Sequence, residues 1–142
     1  LNAASWTPGI VAQLQADLLA NKHRSIDELM ALCKERHPTW DESEYFQWAK
    51  AKQEFRPEAL NGWMEPRRPW REVVRGLRCP GLLLTADPAR GGLVTPEVAE
   101  EVKALWPQVQ VVHFPDAGHS IHREAYRTYI QTVLRFLRRL AG

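Results

Sequence analysis

Cysteine is scarce in this chain: Cys33 and Cys79 are the two thiols in 142 residues, and they form neither a CxxC pair nor a metal-ligand spacing. Two isolated thiols fit a reducing, cytoplasmic compartment. No run of 18 apolar residues occurs, so the sequence contains no membrane-spanning helix. Leu1 to Pro8 has neither a charged n-region nor an apolar h-region, and no signal peptide is visible. An excess of one charge is missing too. Nineteen Lys and Arg against seventeen Asp and Glu leave a formal charge of +2, too small to argue for nucleic acid or an acidic partner. Repeats and low-complexity tracts are absent. Leu1 stands where an initiator Met would, and the expectation is that residues precede it. What is present is 44% apolar and 25% charged residues, a balance that suits a soluble globular protein with a sizeable core.

The first 65 or so residues read as helices alone. Thr7 before Pro8 is a start signal, because Pro at the first helical position loses no hydrogen bond, and Ile10, Val11, Leu14 and Leu18 follow at helical spacing. Ser25 and Glu28 match a capping box, and Ile26, Leu29, Met30 and Cys33 form the stripe behind it. His37-Pro38 ends that helix. Asp41 and Glu44 open a third, with Tyr45, Trp48, Ala49 and Lys52 on one side, and Arg56-Pro57 closes it. After Pro66 the pattern changes. Trp70, Val73, Val74 and Leu77 suggest a short helix stopped near Gly76. Gly81 to Ala86 is a continuous apolar run between Pro80 and a turn, the mark of a strand buried on both faces in a parallel sheet. Asp87 to Thr95 reads as a loop, and Thr95-Pro96 starts a helix with Val98, Val102 and Leu105 inward. Trp106-Pro107 ends it. Val109 to Phe114 is a second strand, Pro115 to Arg123 a loop, and Tyr126, Ile130, Val133, Leu134 and Leu137 mark a long final helix. Strand, helix, strand, helix is the rhythm of an α/β fold. Two strands are too few for it, since parallel sheets are covered on both faces and rarely stand with fewer than three. Further strands are expected from a partner or, preferably, from a longer protein of which this is the C-terminal piece.

Candidate chemistry gathers at the strand ends. Asp116-Ala117-Gly118-His119 follows the second strand, and in open α/β sheets the loops at the carboxyl ends build the active site. An imidazole on such a loop can act as a general base, whereas the plain alternative is a surface histidine in a turn. Asp87 ends the first strand on the same rim, where its carboxylate can hold the tautomer of His119 or simply cap a turn before Pro88. His113, Asp116, His119 and His122 bear zinc-binding side chains but match no ligand pattern, and no cofactor is expected. Arg67-Arg68 and Arg135, Arg138 and Arg139 read as solvated charge. A nucleophile is missing. Ser5, Ser25 and Ser43 lie in the helical part, and Ser120 sits in no Gly-x-Ser-x-Gly elbow.

Arg78-Cys79-Pro80, the Leu82-Leu83-Leu84-Thr85-Ala86-Asp87 strand end, Val94-Thr95-Pro96-Glu97 and Phe114-Pro115-Asp116-Ala117-Gly118-His119 occur in that order, before a helix ending Arg135-Phe136-Leu137. On these residues the segment from Trp70 to Leu140 resembles the C-terminal end of an α/β-hydrolase. Residues 1–66 are similar to the helical cap that many members insert, and 67–142 to the last part of the core. The resemblance implies that His119 is the histidine of a nucleophile–acid–histidine triad, with the nucleophile strand and oxyanion-hole loop upstream of Leu1. It implies an ester-like or other small apolar substrate, with Trp6, Trp40, Trp48 and Trp63 as candidate wall residues of its pocket. Asp87 departs from the common pattern, because aligning Ala86 with the family's strand-end glycine puts Ala89 at the acid position. The N-terminal half of the same protein, or another copy, would complete the sheet, and the isolated chain is expected to be inactive. The competing expectation is a non-catalytic binding module folded by strand exchange.

Overall fold

A computed structural model of the chain describes residues 8–56, 59 and 68–142; Trp6, Thr7, Pro57, Trp63, Pro66 and Arg67 lie outside the described residues. The chain divides into two units, Asn2–Pro66 and Arg67–Gly142.

Among the described residues the first unit has three α-helices: α1 (Pro8–Lys22), α2 (Ile26–Arg36) and α3 (Glu42–Glu54). Local chemistry sets where they begin. The Ser25 hydroxyl accepts from the Glu28 N–H at 3.2 Å, while the Glu28 carboxylate accepts from the Ser25 N–H at 2.8 Å. Each residue thereby satisfies a donor that the first turn of α2 would otherwise leave open. Asp41 caps α3 in a related way, accepting from the Ser43 hydroxyl at 2.6 Å and the Ser43 N–H at 3.0 Å. These bonds favour the ionised forms. The Ser25 backbone N–H above all holds the Glu28 carboxyl below its usual range, and the Ser43 hydroxyl does the same for Asp41. Behind the caps Leu29, Cys33, Trp40, Tyr45 and Ala49 form a buried core. The Tyr45 hydroxyl donates to the carbonyls of Trp40 at 3.1 Å and His37 at 3.2 Å, so this aromatic is buried without losing its hydrogen bond. Lys22 donates to the Phe55 carbonyl at 2.7 Å and ties the end of α1 to the end of α3.

The second unit is α/β. Strands β1 (Gly81–Ala86) and β2 (Val109–Phe114) pair in parallel from Gly81 opposite Val109 to Ala86 opposite Phe114, with α5 (Pro96–Leu105) as the crossover. Thr95 caps α5 and Pro96 occupies its first turn, while Ala99 and Val102 are buried. Helix α4 (Trp70–Arg75) is joined to α5 by a two-pronged ion pair between Arg71 and Glu101. The Trp106 ring lies against the Gly81 Cα, where no Cβ fits, and its N–H donates to the Cys79 carbonyl at 2.9 Å. Two segments read from sequence as loop carry helical turns. One is a 3-10 turn, Pro88–Arg90, and the other is α6 (Ile121–Glu124), followed by α7 (Tyr126–Ala141).

The apolar surfaces are less covered than their composition leads one to expect. Gly81, Thr85 and Ala86 are buried, but Leu82, Leu83 and Leu84 are half-buried, as are Val109, Val111 and Val112. On α7, Ile130 and Val133 are half-buried while Tyr126 (62%), Leu134 and Leu137 are exposed. Among the described residues the sheet has two strands, so flanking helices find little surface to close over. Burial concentrates at the carboxyl ends of the strands, where Ala86, Phe114 and Ala117 form a core joined by Leu84, Val112, Ile121, Ala125 and Tyr129.

Candidate active site at the carboxyl edge of the sheet

Both candidate residues sit beyond that core. Asp87 directly follows β1, and Asp116 to His119 follow β2. The two loops are stitched together. The Asp87 N–H donates to the Ala117 carbonyl at 3.0 Å, extending the strand pairing one step past the sheet. The Arg90 guanidinium donates to the Asp116 carbonyl at 3.1 Å. Gly118 is buried with its Cα against the Arg90 carbonyl, so close that a Cβ at this position would fall on the carbonyl oxygen. Gly91 ends the 3-10 turn at φ 91°, a left-handed conformation that glycine adopts without steric cost.

His119 emerges exposed from this frame, on the turn before α6. The residues on either side of it are held by one carboxylate. Glu124 accepts from the Gly118 N–H at 2.6 Å and from the Ser120 N–H at 3.1 Å. The Asp87 carboxylate serves locally: it accepts from the Ala89 N–H at 2.9 Å, capping the 3-10 turn, and stands 4.0 Å from the Arg90 guanidinium. Among the described residues no hydrogen bond joins Asp87 to His119.

The other sequence candidates are dispersed. Trp40 is buried in the core of the helical unit and stacks on His37 with ring centres 4.0 Å apart. Trp48 packs half-buried against the same core, with the Lys52 ammonium 4.8 Å from its ring centre. Burial against the surrounding apolar groups pushes the Lys52 pKa down. Trp63 lies outside the described residues. His113 is engaged with Thr85, its cross-strand neighbour, at 3.0 Å, and His122 meets the Tyr129 ring edge-on at 6.3 Å. Among the described residues no three His, Cys, Asp or Glu side chains assemble as metal ligands. No described helix is long and apolar enough to cross a membrane. A surface groove of about 450 Å³ on α7, lined by Gln131, Leu134, Arg135, Arg138 and Arg139, includes neither His119 nor Asp87. Arg90 and Glu124 were not legible as site residues. The four-residue interval from Ser120 to Glu124 is the single local signal for the latter, and it is weak because four residues hold no periodicity.

Two parallel strands flanked by helices, with the candidate residues at their carboxyl ends, are consistent with a partial α/β-hydrolase-like domain. Among solved structures the chain is similar to the N-formylmaleamic acid deformylase of Pseudomonas putida, with a TM-score of 0.60 and 20% identity. The match covers 90% of this chain and 48% of that one, so the chain spans about half the length of its neighbour. At that identity the likeness concerns the fold. No family model matches the sequence, and no curated protein matches it.

Proposed function

We propose that this chain is part of an α/β-hydrolase-type enzyme in which His119 is the general base and the nucleophile comes from outside residues 1–142. The observation that carries this reading is the stitched pair of loops at the carboxyl edge, which presents an exposed imidazole beside the loop of Asp87. A nucleophile seated at that edge would attack an ester-like or other small apolar substrate. His119 would take its proton and return it to the leaving group, and Asp87 would stabilise the imidazolium once its carboxylate turns away from Ala89. In this reading residues 1–66 take the part of the cap, with Trp48 and Trp63 offered to substrate, whereas Trp40 is buried in the core of the helical unit. The half-covered leucines and valines of β1 and β2 support a larger sheet in the working protein.

The test is hydrolysis of an activated ester by the intact protein. His119→Ala is expected to lower turnover by about 10⁴-fold. Turnover within a factor of two of the parent would remove His119 from the mechanism. The same half-covered apolar strands support a second reading, a strand-exchanged assembly of copies without catalysis. A defined oligomer of this chain in sedimentation, with no hydrolysis by the intact protein, would favour it.

A further inference from the structure

We propose that Glu124 is a positioning residue for His119, a role that rests on the reading of His119 as the base. Glycine precedes the histidine because a side chain there would strike the Arg90 carbonyl, and that same glycine leaves the peptide torsionally free just where the imidazole must be aimed. Glu124 removes that freedom. Its two carboxylate oxygens accept one N–H on each side of the histidine, from Gly118 at 2.6 Å and from Ser120 at 3.1 Å. Both are bonds to an ionised acceptor, the stronger class of hydrogen bond.

The clamp is anchored twice over. The Glu124 N–H donates to the Ser120 carbonyl at 2.9 Å while the Glu124 side chain accepts from the Ser120 N–H, closing a ring around the first turn of α6. Ile121 and Ala125, on either side of that turn, pack against Ala86, Phe114 and Ala117. The position of the strand ends is thereby passed through α6 and Glu124 to the peptide that carries the imidazole. Serine or threonine capping of a helix holds a helix end alone; this carboxylate holds the residue before the catalytic position as well as the one after it.

The experiment compares Glu124→Ala and Glu124→Gln with the parent in the intact protein, by amide hydrogen exchange and by ester turnover. Glu124→Ala should speed exchange at Gly118 and Ser120 roughly 10- to 100-fold, with Leu83 and Val112 in the strands unchanged. It should lower kcat by at least about tenfold with little change in KM, because a displaced base costs rate more than binding. Glu124→Gln offers one acceptor oxygen in place of two, so one of the two amides should stay protected and kcat should fall between the other two proteins. Unchanged exchange at both amides in Glu124→Ala would refute the clamp, and faster exchange with unchanged kcat would reduce it to a structural contact. Loss of strand protection in Glu124→Ala moves the decision to Glu124→Gln, where unchanged kcat or loss of both amides together would overturn the role. If His119→Ala itself leaves turnover intact, the base assignment falls while the exchange result still reports on the clamp.

Discussion

Substituting Gly118 by Ala tests the stitched loops directly. The added Cβ would overlap the Arg90 carbonyl, with further contacts from the Glu124 carboxylate, and the obstacle is backbone and not the flexible end of a side chain. Restoring ordinary contact requires the two loops to part by about 1 Å. Overpacking of this kind costs about 2 kcal/mol. In a unit the size of Arg67–Gly142 that lowers Tm by roughly 8–16 °C. The same movement strains the Asp87–Ala117 and Arg90–Asp116 bonds and shifts the peptide of His119. A base misplaced by about 1 Å costs on the order of 10²-fold in turnover. Differential scanning calorimetry with the ester assay reads both effects in one preparation. Gly9→Ala is the control, because nothing lies within 4 Å of a Cβ there and helical alanine is favoured over glycine. That variant should melt no lower than the parent. Gly118→Ala melting with the parent would show that the loops do not approach as described, and full turnover in a destabilised variant would separate the fold of this rim from catalysis.

Two further outcomes concern the separate units. Ser25→Ala removes one half of the α2 capping box and should cost the helical unit about 1 kcal/mol, read as a lower midpoint in urea by circular dichroism. The acid limb has a defined sign there: folding depresses the Glu28 and Asp41 carboxyls, so their contribution is present at neutral pH and is lost as pH falls through the folded values. The urea midpoint should drop on acidification below about pH 4, and less steeply in Ser25→Ala with Asp41→Asn. An equal slope in both proteins would show that the caps are not the source. Phe114, 4% exposed at the end of β2, anchors the core beneath the rim, and Phe114→Ala should destabilise the second unit by about 3–5 kcal/mol. A loss under 1 kcal/mol in calorimetry would mean that this core carries little of the stability.

What was legible in the sequence was whatever depends on near neighbours. The Ser25–Glu28 box, the Thr95-Pro96 start and the two apolar runs at 81–86 and 109–114 each announce themselves within a few residues, and each forms the element expected. Helix α6 stayed hidden inside a presumed loop because its four residues are too few for a periodic stripe. Burial was harder still. The leucines of β1 read as covered on both faces, and their half-exposure reflects how many strands lie beside them, which no local pattern records. The placement of Trp40 beside Cys33 and Tyr45 likewise depends on how α2 and α3 pack. At the candidate site, His119 and Asp87 were visible as residue types at strand ends. The carbonyl that fills the space beside Gly118 belongs to a residue 28 positions earlier by sequence number, and only the folded chain brings them together.

The way the rim is sewn has a consequence for how it tolerates change. The Asp87–Ala117 link joins backbone to backbone, the Arg90 contact is received by a main-chain carbonyl, and the Glu124 oxygens take main-chain N–H groups. Positions 87, 116 and 117 enter these links through their peptide groups alone. Of these, the exposed Asp116 side chain is available for replacement without unpicking the seam, whereas Ala117 is fully buried, the Asp87 carboxylate caps the turn that carries Arg90, and Gly118 and Glu124 hold the rim itself. For directed evolution this makes the rim a place where new specificities can be sampled at the exposed positions 89 and 116 on a frame that keeps its alignment.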